Sequence, residues 1–154
     1  GNIVNLTKII EQKPTVLVFY RGGWCPYCNL QLSGLVSIED EILRLGYQIV
    51  AISPDDVKNL KPTIAKDSIK YKLYSDSDGN LIKKIGIAYK TPLVVKGYIA
   101  GKTKGNITEV LPVPTLMVID TKGEILFEYI NPNYKKRISS GMLLAVLKSL
   151  NELK

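Results

Sequence analysis

Thr15-Val16-Leu17-Val18-Phe19-Tyr20-Arg21-Gly22-Gly23-Trp24-Cys25-Pro26-Tyr27-Cys28 is the stretch on which the reading of this chain turns. Its first six residues are apolar, β-branched or aromatic and follow Pro14, the pattern of a short strand buried on both faces. Arg21-Gly22-Gly23 supplies a turn. From Pro26 onward, Leu30, Leu32, Leu35, Ile38, Ile42, Leu43 and Leu45 recur at three- and four-residue spacing and predict an amphipathic helix ending at Gly46. The two cysteines therefore sit where a buried strand hands over to the N-terminus of a helix.

That position has chemical consequences. Unpaired N–H groups and the positive end of the helix dipole favour a thiolate at Cys25, whose pKa is expected below that of a free cysteine. Cys28, one turn along, is the expected buried partner. The spacing permits a reversible disulfide, in which Cys25 attacks a partner and Cys28 then resolves the product.

Composition narrows the choice further. The chain contains no histidine, which removes Ser-His-Asp triads, Cys-His dyads and His-based zinc sites. Its two cysteines, both in the one Cys-x-x-Cys, are too few for a disulfide framework or a closed zinc site, so no metal and no cofactor is expected. The net charge of +7 comes mostly from lysines spread along the chain, since only Arg21, Arg44 and Arg137 are arginines. No stripe reads as a nucleic-acid surface, and no apolar run reaches the length of a membrane span.

Outward from the cysteines the pattern is that of one α/β domain over residues 1–154. Tyr47–Ser53 reads as a second buried strand, Pro54-Asp55-Asp56 as a turn opening a helix through Val57, Leu60 and Ile64, and Tyr71–Tyr74 as a further extended piece. Ser75–Asn80 reads as a turn into a helix over Leu81–Ile85. Leu116–Asp120 and Glu124–Ile130 form a hairpin, and a last helix starts near Ser139. Residues 86–113 show no clear period and are expected to be an irregular insertion capping the substrate groove. Alternating strand and helix implies parallel pairing, and the hairpin makes the sheet mixed.

Phe19–Cys28 resembles the active-site segment of the peroxiredoxin-like (alkyl hydroperoxide reductase/thiol-specific antioxidant) branch of the thioredoxin superfamily. Ala51–Asp55, Leu73–Gly79, Val113–Thr115 with Val118–Gly123, and Asn131–Ile138 resemble further segments of that family in the same order. The resemblance implies a thioredoxin-like fold, a central mixed sheet flanked by helices, and a cis bond at Val113-Pro114 facing the cysteines. It also implies that family members begin with a hairpin earlier than Gly1, so the chain is expected to lack an N-terminal piece. The compartment stays open between cytoplasm, slightly favoured, and periplasm.

The chain departs from the peroxidase pattern at three places. Gly22 stands where peroxiredoxins carry a threonine, Val18 where they carry a proline, and Pro114 where many carry an arginine. The acidic residue that thioredoxin buries in the preceding strand is replaced by Phe19. The first expectation is therefore a thiol–disulfide oxidoreductase: Cys25 the nucleophile, Cys28 the resolving thiol, Val113 and Pro114 shaping the groove. Trp24, Pro26 and Tyr27 flank the site, and Arg21 or Arg137 is expected within reach of a thiolate. The expected partners are a disulfide-containing protein or small disulfide and a thiol reductant. The alternative is a thiol peroxidase, with Cys25 oxidised to a sulfenic acid and Cys28 closing a disulfide onto it; a non-catalytic redox sensor is the third reading.

Overall fold

A computed structural model describes residues 1–106 and 108–154. The elements run α1 (Leu6–Gln12), β1 (Thr15–Phe19), α2 (Pro26–Arg44), β2 (Gln48–Ser53), α3 (Val57–Asp67), β3 (Lys72–Ser75) and α4 (Asn80–Lys84). They continue with β4 (Ala88–Lys90), α5 (Leu93–Lys102), β5 (Val110–Pro112), β6 (Thr115–Ile119), β7 (Ile125–Ile130) and α6 (Ser140–Glu152). Five strands form one sheet in the order β3-β2-β1-β6-β7, and β4 pairs with β5 in a small separate ladder.

The parallel half of the sheet follows from its sequence. β1 is buried at every residue, so its even and odd side chains each need a covered face. Val16, Val18 and Tyr20 point with Ile49, Ala51, Leu116 and Val118 to one side. There Leu32, Leu35 and Ile42 of α2 and Leu143 and Leu147 of α6 complete the core. Leu17 and Phe19 point with Val50, Ile52, Met117 and Ile119 to the other, against Ile82 and the apolar side of α1. β1 pairs in parallel with β2 and antiparallel with β6, which makes the sheet mixed as expected.

Three sequence expectations need correction. Residues 86–113 are not irregular: they hold β4, α5 and β5, and Ala88–Lys90 pairs antiparallel with Val110–Pro112. The period of α5 is hard to read because only Ile99 of that helix is buried and Gly97 and Gly101 interrupt it. Second, α1 occupies residues not assigned to any helix. Asn5 caps it by accepting the Lys8 N–H at 3.3 Å.

Third, Val113-Pro114 is not cis; the described residues contain no cis peptide bond. The Val113 N–H donates to Ile87 O at 2.8 Å, and Pro114 O accepts from the Asn131 N–H at 3.2 Å. A trans proline opening β6 keeps both of these bonds, and it is the cheaper isomer. Among the described residues no helix is long and apolar enough to cross a membrane.

Candidate active site

β1 and β2 are parallel neighbours, so the loops leaving their C-terminal ends lie side by side. The first carries Tyr20–Cys25 and the second Pro54–Asp56. They are joined at Gly23, whose N–H donates to Asp55 Oδ2 at 2.7 Å. Asp55 Oδ1 accepts from Asn106 Nδ2 at 3.1 Å, tying in the segment that follows α5. Burial outweighs these bonds and pushes the Asp55 carboxyl up to about 6. Asp55 and Asn106 were not singled out as functional from sequence. Asp55's position at a parallel strand end was the available signal, and Asn106 had none.

Cys25 is the N-cap of α2 and Pro26 its first helical residue, where the missing N–H costs nothing. The Cys25 N–H closes the turn onto Gly22 O at 3.1 Å. Its side chain is 1% exposed. The Cys28 thiol and backbone N–H both face its sulfur, and Arg21 and Arg137 add positive charge, so Cys25 ionises at about 6 despite its burial. Cys28 is completely buried, and desolvation drives its thiol well above the ordinary cysteine range. Both cysteines are free thiols.

Each sulfur has its own guanidinium. Arg21 Nη1 lies 4.0 Å from Cys25 Sγ, and Arg137 Nη2 lies 3.2 Å from Cys28 Sγ. Arg21 is buried between two rings, 5.0 Å from the Trp24 centroid and 4.4 Å from that of Tyr134. Tyr134 in turn meets Tyr27 edge-on at 5.7 Å, and Trp24 meets Tyr98 at 6.1 Å.

A cavity of about 310 Å³ opens on Cys25, lined by Arg21, Trp24, Pro26, Tyr27 and Tyr134 and, from α5, by Val94, Val95 and Tyr98. The expected cap over the groove is thus α5, whose Leu93 and Val94 remain 84% and 86% exposed. Of the predicted site residues, Cys25, Cys28, Arg21, Trp24, Pro26, Tyr27 and Arg137 come together. Val113 and Pro114 do not line this cavity.

The profile of the AhpC/TSA family matches residues 1–127. The chain belongs to the AhpC/TSA family. Peroxiredoxin Bcp of Escherichia coli K12 is 29% identical over 98 residues, 64% of this chain and 62% of that protein. The chloroplastic peroxiredoxin Q of Triticum aestivum is 24% identical over 150 residues, 97% of this chain and 61% of that protein. The chain thus spans about three-fifths of the length of the curated relatives it matches.

Among solved structures, peroxidoxin BcpB from Mycobacterium tuberculosis superposes with a TM-score of 0.75 at 21% identity, covering 97% of this chain and 88% of that one. Reduced Prx3 from Vibrio vulnificus in complex with hydrogen peroxide gives 0.77 at 18% identity, covering 93% and 83%. These likenesses establish the thioredoxin-like fold of this AhpC/TSA member.

Proposed function

We propose that this chain is a thiol peroxidase of the AhpC/TSA family, with Cys25 as the oxidised sulfur and Cys28 as the resolving one. The observation that carries the reading is a buried Cys25 sulfur at a helix N-terminus with Arg21 4.0 Å away, surroundings that lower its pKa. The family match favours peroxide over the general disulfide exchange that the Cys-x-x-Cys alone predicts first.

The thiolate attacks one peroxide oxygen, the O–O bond breaks, and the departing oxygen leaves as water or an alcohol once protonated. Cys25 becomes a sulfenic acid. Charge developing on the oxygens needs donors, and the family's threonine and arginine positions hold Gly22 and Pro114 here. Arg21 takes over that role: its Nε has no hydrogen-bond partner, and the neighbouring Trp24 Nε1 is likewise free. A thiol reductant, a small thiol or a dithiol protein, then reopens the Cys25–Cys28 disulfide. Removal of cellular peroxide, an antioxidant role in redox homeostasis, is the process this serves.

Trp24 is the only tryptophan and touches the site, so its fluorescence reports the oxidation. Reduced protein is mixed with hydrogen peroxide, and separately with a glutathione disulfide. The peroxide rate is expected to rise with pH through about 6, following the Cys25 thiolate, and to vanish in Cys25→Ser. A sluggish peroxide reaction beside rapid disulfide exchange would overturn the peroxidase in favour of an exchange enzyme.

A further inference from the structure

The resolving sulfur poses a problem that the peroxidase reading leaves open. A thiol attacks as the thiolate, yet Cys28 is sealed from water and its burial favours the neutral form. The chain has no histidine, and the residue preceding Tyr20 on β1 is Phe19 rather than an acid. The groups facing Cys28 are Tyr20 just past the end of β1, the Arg21 backbone N–H, Cys25 itself and the guanidinium of Arg137. Tyr20 is fully buried and its phenol is held neutral by that burial.

We propose that Arg137 is the catalytic residue of the resolving step, holding the Cys28 sulfur as a thiolate while it closes the disulfide onto Cys25. The inference rests on the two-cysteine reading above. It stands on the 3.2 Å contact from Nη2 to Cys28 Sγ, which crosses 109 residues of sequence. Among the described residues Arg137 forms no ion pair with a carboxylate, and its buried Nε has no partner. Its positive charge is therefore not neutralised elsewhere and is available to the sulfur.

The loop is built to hold it there. Asn131 Oδ1 accepts the Asn133 N–H at 2.9 Å, Asn133 Oδ1 accepts the Lys135 N–H at 3.1 Å, and Asn133 O accepts the Lys136 N–H at 2.9 Å. Buried Ile138 and the Ser139 cap of α6 fix its far end. Arg21 cannot substitute, because it is stacked between Trp24 and Tyr134 over the other sulfur.

In the step itself the Cys28 thiolate gives an electron pair to the sulfenic sulfur of Cys25. The S–S bond forms, the S–O bond breaks, and the hydroxide leaves as water with the proton that Cys28 released. Cys28 is oxidised and the sulfenic sulfur reduced, so no further oxidant is needed. In the reverse direction, when a reductant attacks Cys25, Arg137 stabilises Cys28 as the leaving thiolate.

Two assays separate this role from the peroxidase reading. With peroxide, Arg137→Met is expected to slow disulfide closure by about 30-fold, the loss of one charged hydrogen bond, and to leave a sulfenic acid on Cys25 that dimedone traps. With Ellman's disulfide, Cys25 releases one thionitrobenzoate and Cys28 displaces the second, so the second release reads Cys28 without any peroxide. It should fall by about the same factor in Arg137→Met, become steeply pH-dependent, recover in part with added methylguanidinium, and stay closer to wild type in Arg137→Lys.

An unchanged second release in Arg137→Met would overturn the proposal. So would a slowed release that methylguanidinium and Arg137→Lys both fail to restore, since that marks a purely structural residue. A wild-type protein inert to peroxide whose second release still depends on Arg137 would sink the peroxidase reading and leave Arg137 in place.

Discussion

Gly22 shows why the threonine of the family's peroxidase pattern is absent. Its φ of +151° is unusual for a side-chain-bearing residue, and a Cβ there would run into the Trp24 indole nitrogen and come within 2.7 Å of Asp55 Oδ1. Gly22→Thr therefore does not restore a peroxide donor. It is expected to cost about 2 kcal/mol or more in urea unfolding and to slow the peroxide reaction, because Trp24 or Asp55 must move. A faster peroxide reaction in that variant would mean that the loop tolerates the hydroxyl and that Arg21 is dispensable. At this scale the sequence was most legible where the contact is local. Arg21, Trp24, Cys25, Pro26 and Cys28 lie within one turn and one helical step. The partners of Asp55 lie 32 and 51 residues away, and no periodicity encodes such a pairing.

The element that decides access to Cys25 is α5. It presents Val94, Val95 and Tyr98 to the cavity, yet it buries only Ile99, and its two glycines lower its intrinsic helix stability by about 1 kcal/mol each. A sulfur that is 1% exposed needs some part of its surroundings to open, and α5 is the weakest-held wall. A Cβ at Gly97 or Gly101 would meet nothing within 4 Å. Gly97→Ala and Gly101→Ala are expected to stabilise the protein by about 0.5 to 1 kcal/mol each. They should slow amide exchange in Leu93–Lys102 and reduce the rate with a bulky organic hydroperoxide more than with hydrogen peroxide. Equal effects on both oxidants would move the gate to another element.

The same weak anchoring explains why α5 escaped a reading by hydrophobic period. α2 was readable because Leu32, Leu35 and Ile42 form a buried stripe, even though Leu30, counted in the same pattern, is 72% exposed. Leu30 lies on the first turns of α2, beside the cysteines, and faces solvent there.

Across the whole molecule, β1 is covered on both faces and its C-terminal end leads straight into the cysteine loop. The parallel pairing of β1 and β2 was legible because a doubly apolar strand, an amphipathic helix and a second apolar strand follow one another in the chain, whereas the full strand order emerges only in the folded structure. The trans bond before Pro114 was not legible, because the backbone partners on either side of it lie far along the chain, Ile87 O accepting from the Val113 N–H and the Asn131 N–H donating to Pro114 O.

The Cys25 thiolate also couples folding to electron transfer. In the folded reduced chain this thiol ionises at about 6 instead of its ordinary 9.0. Its contribution to stability is thus complete above pH 9 and is lost as pH falls through 6, so that part of it remains at pH 7. The oxidised chain has no thiolate and lacks that contribution. Reduced protein should therefore unfold at a higher urea concentration than its thiolate-free form would, with the advantage shrinking toward pH 5. By the closed cycle linking both states, the same quantity appears as a reduction potential more oxidising than that of a Cys-x-x-Cys pair with ordinary thiols. Weakening the grip on the thiolate, as Arg21→Met does, must lower the potential and the stability of the reduced fold together.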